Sequence, residues 1–516
     1  MKLNHIYKSI ACGVLLAMTA TSCDLDYNPV DTYSDVTEGV NKTDEKPIFN
    51  SVQDVETSMV TLHKKFRDQQ EHWYVDKLLI GDAHSDNAYA GTTGAEVVPY
   101  ETNSIEGSNS VLKRDWDRFL GDIAVANRII VGCDQLKALS ESERGKYQSQ
   151  AKIFRAMVMF DMVRLWGNFP VITTVGGDIT EDNVEEMYPT YFPPQNTAEE
   201  AYAQIEKDLT EAVENPNTPT NDTSDKSILT KSVARAMLAK VYAEKPLRDY
   251  AKVIKYADEL AADGFDLVED FSDLWAYDTE KKDCRVRNTK EAILEAHFPP
   301  GSGNWCTWMF GRNLSNWDES FTWAKWITPS RDLIRLYEEQ GDTKRYNESV
   351  VWYDCGWSNY YPADHYAFMY KCRSAFNSII YLRYADILLL KAEAKIMGET
   401  PDLNGAADII DRIRNRAGLG KLPQSTRSSK EALLQAYMDE RRMELAFEGQ
   451  RWYDLCRLNK VEEVMNAVDA QVIIGVCDKD SGRHAQENLF NENSYLLAIP
   501  QGAIDQNENL IQNPGY

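Results

Sequence analysis

Apolar residues along most of this chain recur every three or four positions, the spacing that gathers them on one face of an α-helix. Over 110–138 the stripe is Trp116, Phe119, Leu120, Ile123, Ala126, Asn127, Ile130 and Val131. Over 141–166 it is Tyr147, Ala151, Phe154, Met157, Val158, Asp161 and Leu165, closed by Gly167-Asn168-Phe169-Pro170, a combination that stops helices. The same pattern predicts helices over 198–214, 230–245 (stopped by Pro246), 249–262, 330–339, 380–397, 403–416 and 428–457. Small residues recur on their facing sides: Ala234, Ala236, Ala239 and Ala243, then Ala385, Ala392 and Ala394, then Ala406 and Ala407. Paired helices with alanine at close-contact positions predict a mainly α fold of stacked, tetratricopeptide-like helical hairpins. The period is degenerate, and no long strand-rich region is expected.

Two stretches break the helical register and read as long irregular insertions, near 80–109 and 265–375. Loops of that length inside a folded domain usually carry function. The second holds seven of the 12 tryptophans, between 305 and 357. Trp305, Trp308, Trp317, Trp323, Trp352, Trp357 and Tyr360 are interleaved with Arg312, Asn313 and Asn359, with neither a 3.6- nor a 2.0-residue period. A sugar ring has an apolar C–H face and a polar hydroxyl edge. Rigid aromatic rings suit the face, and fixed polar side chains suit the edge. Any one of these tryptophans could equally fill core; Trp326, leading into Thr328-Pro329-Ser330, reads as packing. In the first insertion Asp86, Asn87 and Tyr89 are candidates for polar contacts with a ligand, with a turn-forming role the alternative.

The N-terminus adds an address. A polar segment with Lys2 and Lys8 precedes an apolar run over 10–20, then Thr21-Ser22-Cys23. The run is well short of the roughly 18–20 residues that span a bilayer, so residues 1–22 read as a removable signal peptide. Cys23 after small residues resembles a lipobox, with the cysteine as the lipidation site; dual acylation suffices for stable anchoring. Residues 23–516 are expected to form a single domain.

Composition narrows the possibilities further. A formal charge of −25 disfavours nucleic acid, whose phosphates would be repelled, and attachment through anionic lipid heads. The seven cysteines left after Cys12 and Cys23 (Cys133, Cys284, Cys306, Cys355, Cys372, Cys456 and Cys477) contain no CxxC pair. Asp82-Ala83-His84 invites a metal reading, but the histidines form no HExxH or other ligand pair, so no metal and no cofactor are expected. Phosphate-loop and nucleophile-elbow motifs are absent too.

Four segments carry a resemblance that extends over nearly the whole chain: AKIFRAMVMFDMVRLWGNFPVI from Ala151, YLRYADILLLKAEA from Tyr381, ERRMELAFEGQRWYDLCRLNK from Glu440, and LAIPQGAIDQNENLIQNPGY ending at Tyr516. They resemble the SusD-like (RagB/SusD) family of outer-membrane nutrient-binding lipoproteins. One departure is Gln506-Asn507-Glu508-Asn509, where the family commonly has a proline. The resemblance implies a non-enzymatic glycan-binding protein on the outer leaflet of the outer membrane. It further implies a lid role for a SusC-like TonB-dependent transporter, to which oligo- or polysaccharide is delivered. Arg441, Glu444, Glu448, Arg451, Trp452 and Asp454 are then expected to hold a helix corner. A protein-interaction scaffold, with peptide or no direct glycan ligand, and a glycoside hydrolase are the competing functions.

Overall fold

Side-chain caps set where the helices begin. Ser51, Ser140 and Thr197 each accept a backbone N–H three residues on, and the acid at that third position reaches back to the cap N–H; this reciprocal pairing satisfies two otherwise orphaned donors. The helices so started include α1 (Val52–Asp68), α3 (Glu141–Trp166) and α4 (Ala198–Glu214), with α2 (Ser110–Gln135) capped by Asn109. There follow α5 (Lys231–Ala243), α6 (Tyr250–Ala262), α7 (Arg331–Gln340) and α8 (Thr343–Ser349). The last of these helices are α9 (Tyr384–Met397), α10 (Leu403–Arg416), α11 (Lys430–Leu445) and α12 (Arg451–Arg457). The computed structural model describes residues 47–91, 94–177, 184–278, 280, 283–298, 303–305, 326–356, 360–371, 373–470 and 488–516.

Successive helices stack on their neighbours: α2 on α3, α3 on α4, α4 on α5, α5 on α6, α6 on α9, then α9 on α10 and α11. This is the hairpin array the alanine pattern predicts, and Ala234, Ala236, Ala239, Ala385, Ala392, Ala406 and Ala407 are all buried in one continuous core. A satellite cluster of Val268, Phe271, Leu274 and Trp275 packs beside it. Short antiparallel pairs decorate the scaffold: β1 (Ala88–Tyr89) with β5 (Thr328–Pro329), β2 (Tyr277–Asp278) with β3 (Asp283–Cys284), β4 (Ala292–Ala296) with β8 (Ile379–Arg383), and β6 (Val350–Tyr353) with β7 (Tyr366–Met369).

The expected segments over 380–397 and 428–457 differ from the structure. The helix at 380–397 begins only at Tyr384, because the preceding residues pair as β8 with β4. The helix at 428–457 breaks after Leu445. Phe447 (φ 60°) and Gly449 (φ 68°) turn the chain through left-handed backbone before α12 resumes. Both departures are tied to buried charge. Arg383, 2% exposed, donates to Glu291 (2.8 Å), Glu444 (2.5 Å) and Glu448 (2.7 Å). Arg345 binds Glu440 (2.7 Å) and Glu444 (3.1 Å), and Arg416 binds Glu291 (2.6 Å) and Glu444. Arg441 bridges Asp386 (2.6 Å) and Asp454 (2.7 Å). Of the corner residues named from the sequence, Arg441 and Asp454 pair with each other, while Glu444 and Glu448 are held by arginines from elsewhere in the chain.

Asp76 and Asp115 are also both buried, with Arg114 Nη2 2.6 Å from Asp76. Burial, then the neighbouring Asp76 carboxyl, raises the Asp115 pKa well above the usual carboxylate range, so Asp115 holds a proton where an unfolded chain would not. The native state thus binds the extra proton, and the Asp115 contribution to stability falls as pH rises from about 4 toward its raised pKa. Asp115→Asn supplies an N–H in place of that proton. The unfolding free energy of the variant, from urea titration, should gain on that of wild type as pH goes from about 5 to about 8, by at most about 1.4 kcal/mol per pH unit. A difference that stays constant across that range would show that Asp115 is already ionised in the fold.

Candidate functional site

The two insertions singled out by their sequence meet in the fold. β1 of the first pairs with β5 of the second, Ala88 opposite Pro329 and Tyr89 opposite Thr328. Ser330 tightens the join, its N–H donating to Asn87 O (3.0 Å) and its hydroxyl to Asp86 O (2.7 Å).

This junction corrects the expected role of the polar residues in the first insertion. Asp86, 4% exposed, is held in a two-pronged ion pair by Arg451 at 2.7 and 2.9 Å, with Arg442 3.2 Å away. Burial alone would raise its pKa, but the two guanidiniums outweigh it and draw the carboxyl down to about 2. Asn87 accepts from Arg442 Nε (2.9 Å) and donates to Asp82 (2.9 Å). Asp82 also accepts the N–H groups of Phe447 (3.0 Å) and Gly449 (2.8 Å). Tyr89 is buried, and its hydroxyl accepts the Arg331 N–H at 3.2 Å. All three side chains point into the protein: Asp86 and Asn87 bolt the loop to the α11–α12 corner through Arg451 and Arg442, and Tyr89 joins it to the start of α7 at Arg331, so none is placed to meet a ligand edge.

An aromatic ladder then runs from this junction to the surface. Tyr89 stacks on Tyr360 (centroids 4.8 Å, 2° between planes) and tilts against Tyr361 at 6.5 Å. Tyr361 meets Trp352 edge to face at 5.2 Å, and Trp352 stacks flat on His365 (4.2 Å, 5°). Tyr360, expected among the ligand-facing rings, is 1% exposed and donates its hydroxyl to Glu101 (2.8 Å). Tyr361 donates to Pro329 O (2.8 Å), with the Arg331 guanidinium 4.3 Å from its ring centre. Trp352, half-buried, gives its indole N–H to Tyr346 (2.7 Å) and has one face covered by His365. The surface end of the ladder is therefore the exposed His365, while Tyr353, 39% exposed, ends strand β6 beside it in the chain. Neither is among the ligand contacts expected from the sequence. The usable signal is the pair of short β-branched and aromatic runs Val350-Val351-Trp352-Tyr353 and Tyr366-Ala367-Phe368-Met369 on either side of a stretch with Asp, Gly, Asn and Pro, which marks a hairpin.

Trp305 is fixed separately. Its backbone N–H donates to Gln70 Oε1 (2.7 Å), while Asn304 beside it bonds to the carbonyls of Ser374 (3.1 Å) and Asn377 (2.7 Å). The ring is half-buried. Cys23, Trp308, Arg312, Asn313, Trp317, Trp323, Trp357 and Asn359 lie outside the described residues.

Other chemistry is limited among the described residues. A cavity of about 60 Å³ lies between Trp73, Lys77, Asp161, Lys240, Lys371 and Glu448, room for water rather than a sugar ring. No group of three or more metal-ligating side chains gathers among these residues. Cys133, Cys284 and Cys456 are free thiols. No helix among the described residues is long and apolar enough to cross a membrane.

Comparison with known proteins agrees with this architecture. The family model described as "SusD family" matches residues 370–516, and the one described as "Starch-binding associating with outer membrane" matches residues 33–243. A SusD-like protein of Bacteroides ovatus is 25% identical over 488 residues, covering 86% of this chain and 81% of that protein. Among solved structures, a SusD homolog from Bacteroides thetaiotaomicron superposes with a TM-score of 0.73 at 20% identity, over 91% of this chain and 98% of that one. Surface glycan-binding protein A from Bacteroides fluxus gives 0.68 at 20% identity, over 90% and 100%; at such identities the likeness speaks for the fold. With two matched segments that together span more than half of the sequence, and the same helical scaffold throughout, the chain belongs to the SusD-like (RagB/SusD) family.

Proposed function

We propose that this protein is a non-catalytic glycan-binding lipoprotein of the cell surface, anchored through Cys23. In this reading it captures oligo- or polysaccharide and hands it to a SusC-like TonB-dependent transporter. The observation that carries the proposal is the aromatic ladder, which ends in the exposed His365 ring lying flat on Trp352. A flat ring over a rigid base suits the C–H face of a sugar, and rigidity keeps the ordering cost of binding low. The family description "Starch-binding associating with outer membrane" and the glycan-binding name of the B. fluxus relative support the same ligand class. Affinity in the micromolar to millimolar range, about −4 to −8 kcal/mol, is adequate for a site tethered beside its transporter.

The test is affinity electrophoresis of the mature chain through gels carrying plant, host-mucin and microbial polysaccharides. At least one should retard it, and Trp305→Ala combined with Tyr353→Ala should weaken that retention by about tenfold or more. Retardation by none, or retention indifferent to both substitutions, would favour a protein-interaction scaffold. Shortening of the polysaccharide during incubation would make the protein a hydrolase instead.

A further inference from the structure

We infer that the cavity where α3, α5, β8 and the turn before α12 meet is a binding site for one small monovalent anion of halide size.

Its walls carry more cations than their carboxylates balance. Lys77, Arg164, Lys240 and Lys371 line it, against Asp161 and Glu448, and each carboxylate in reach is shared between two cations. Asp161 pairs with Lys77 and with Arg164 (2.5 Å). Glu448 pairs with Lys371 (2.5 Å) and Arg383 (2.7 Å). Asp386, which is not part of the wall, pairs with Lys240 and with Arg441 (2.6 Å). Arg383 and Arg441 reach further acids at Glu291 and Asp454, whereas Lys240 and Lys371 pair with one carboxylate each and share it.

The same walls hold donors in excess of acceptors. An ammonium has three N–H groups. Lys240 donates to Asp386 and to Gln450 Oε1 (2.9 Å), and Lys371 to Glu448 and to Glu444 O (2.9 Å), which leaves one N–H on each. Their side chains are only 8% and 1% exposed. Trp275, another wall residue, is buried, and its indole N–H has no acceptor among the described residues. The centre of its ring lies 5.0 Å from Lys371 Nζ.

Burial draws the pKa of Lys240 and of Lys371 below the usual lysine range in spite of Asp386 and Glu448. Water would give the spare N–H groups an acceptor but no counter-charge. An anion gives both, through charge-assisted hydrogen bonds about twice as strong as neutral ones. Size sets the class: about 60 Å³, at roughly 10–15 Å³ of usable space per water, takes a few waters or one compact anion. Anything that binds only the folded state stabilises it, so the fold should respond to halide.

The test measures thermal unfolding of the mature chain in sodium chloride, sodium bromide and sodium gluconate at matched ionic strength, gluconate being too large for the cavity. The wild-type midpoint should rise by about 1–2 °C in either halide relative to gluconate, and the rise should saturate as a single site requires. Trp275→Phe keeps an aromatic ring and removes the N–H; it should raise the half-saturating halide concentration about tenfold. Lys371→Gln, with Arg383 still beside Glu448, should abolish the saturable rise. Circular dichroism checks the fold of both variants. Crystals of wild type grown in bromide should show an anomalous peak inside the cavity. A halide response identical in wild type and Trp275→Phe, or a cavity that holds only water in the bromide crystals, overturns the inference. Should Lys371→Gln fail to fold, those two measurements decide.

Discussion

Glu444→Ala is expected to remove most or all of the folded population. Three guanidiniums, from Arg345, Arg383 and Arg416, converge on this one carboxylate from three different parts of the chain, and Glu444 is itself fully buried. Burial by itself disfavours the charged form, yet the three arginines hold the Glu444 pKa well below the usual carboxylate range. Taking away one member of a buried ion pair leaves uncompensated charge in the interior and typically costs about 3–5 kcal/mol. Here three partners lose a ligand at once, though Glu291, Glu440 and Glu448 remain beside them. Against a total stability of about 5–15 kcal/mol for a typical domain, the loss should appear as a collapsed urea midpoint and loss of the near-ultraviolet circular dichroism of the buried tryptophans. Glu444→Gln, which keeps the shape and one acceptor, should fall in between. Alanine at the exposed Glu462 should leave the midpoint unchanged. A Glu444→Ala protein that unfolds with wild-type urea dependence would mean that the network contributes no net stability.

Gly81→Ala should be nearly as damaging, for a steric reason. A methyl group on Gly81 would lie 2.4 Å from the Cα, carbonyl carbon and oxygen of Gly449, and all three are backbone. Neither side can retreat cheaply. Asp82 next door grips the N–H groups of Phe447 and Gly449. Gly449 adopts φ 68° and itself lies close under Lys77, a Cβ there meeting Lys77 O at 2.9 Å. Overpacking of this kind costs about 1–3 kcal/mol and more where backbone is involved. Gly121→Ala provides the opposite control. It sits in the middle of α2, where an added methyl group would have nothing within 4 Å of it, so alanine there should raise stability by up to about 1 kcal/mol through helix propensity. If thermal denaturation shows both substitutions to be neutral, the contact between the two loops is not tight in solution.

The helical scaffold was legible because periodicity and capping agree along it. The stripes over 141–166, 198–214 and 403–416 reappear as α3, α4 and α10 with the expected bounds or within a residue of them. What failed was local sequence confronted by distant partners. Residues 428–457 look uniformly helical, but Phe447 and Gly449 are forced into left-handed backbone where they meet Gly81 and Asp82. Nothing in the local pattern signals a partner 365 residues away. The same distance hides the fate of Asp86 and Asn87. A polar loop residue that could greet a ligand and one that anchors the loop to Arg451 or Arg442 have the same side chain, and only the fold decides between them. Aromatic residues carry the matching ambiguity. Tyr360 and Tyr361 became the shaft of the ladder and His365 its outer rung, a division that residue type alone does not encode.

The grip of Arg451 on Asp86 also orders events during biogenesis. The partners lie near opposite ends of the chain, so this closure has a very high contact order, and such closures form late. Helix pairs such as α2 with α3 can dock as soon as they emerge, since short loops join them. The first insertion, and with it the base on which the surface ring rests, must wait until residues 442–451 have been synthesised. Chains cut short before that corner would keep many of their helices yet lack the rooted hairpin. Under the proposed function, ligand capture therefore requires a chain that is whole through this corner.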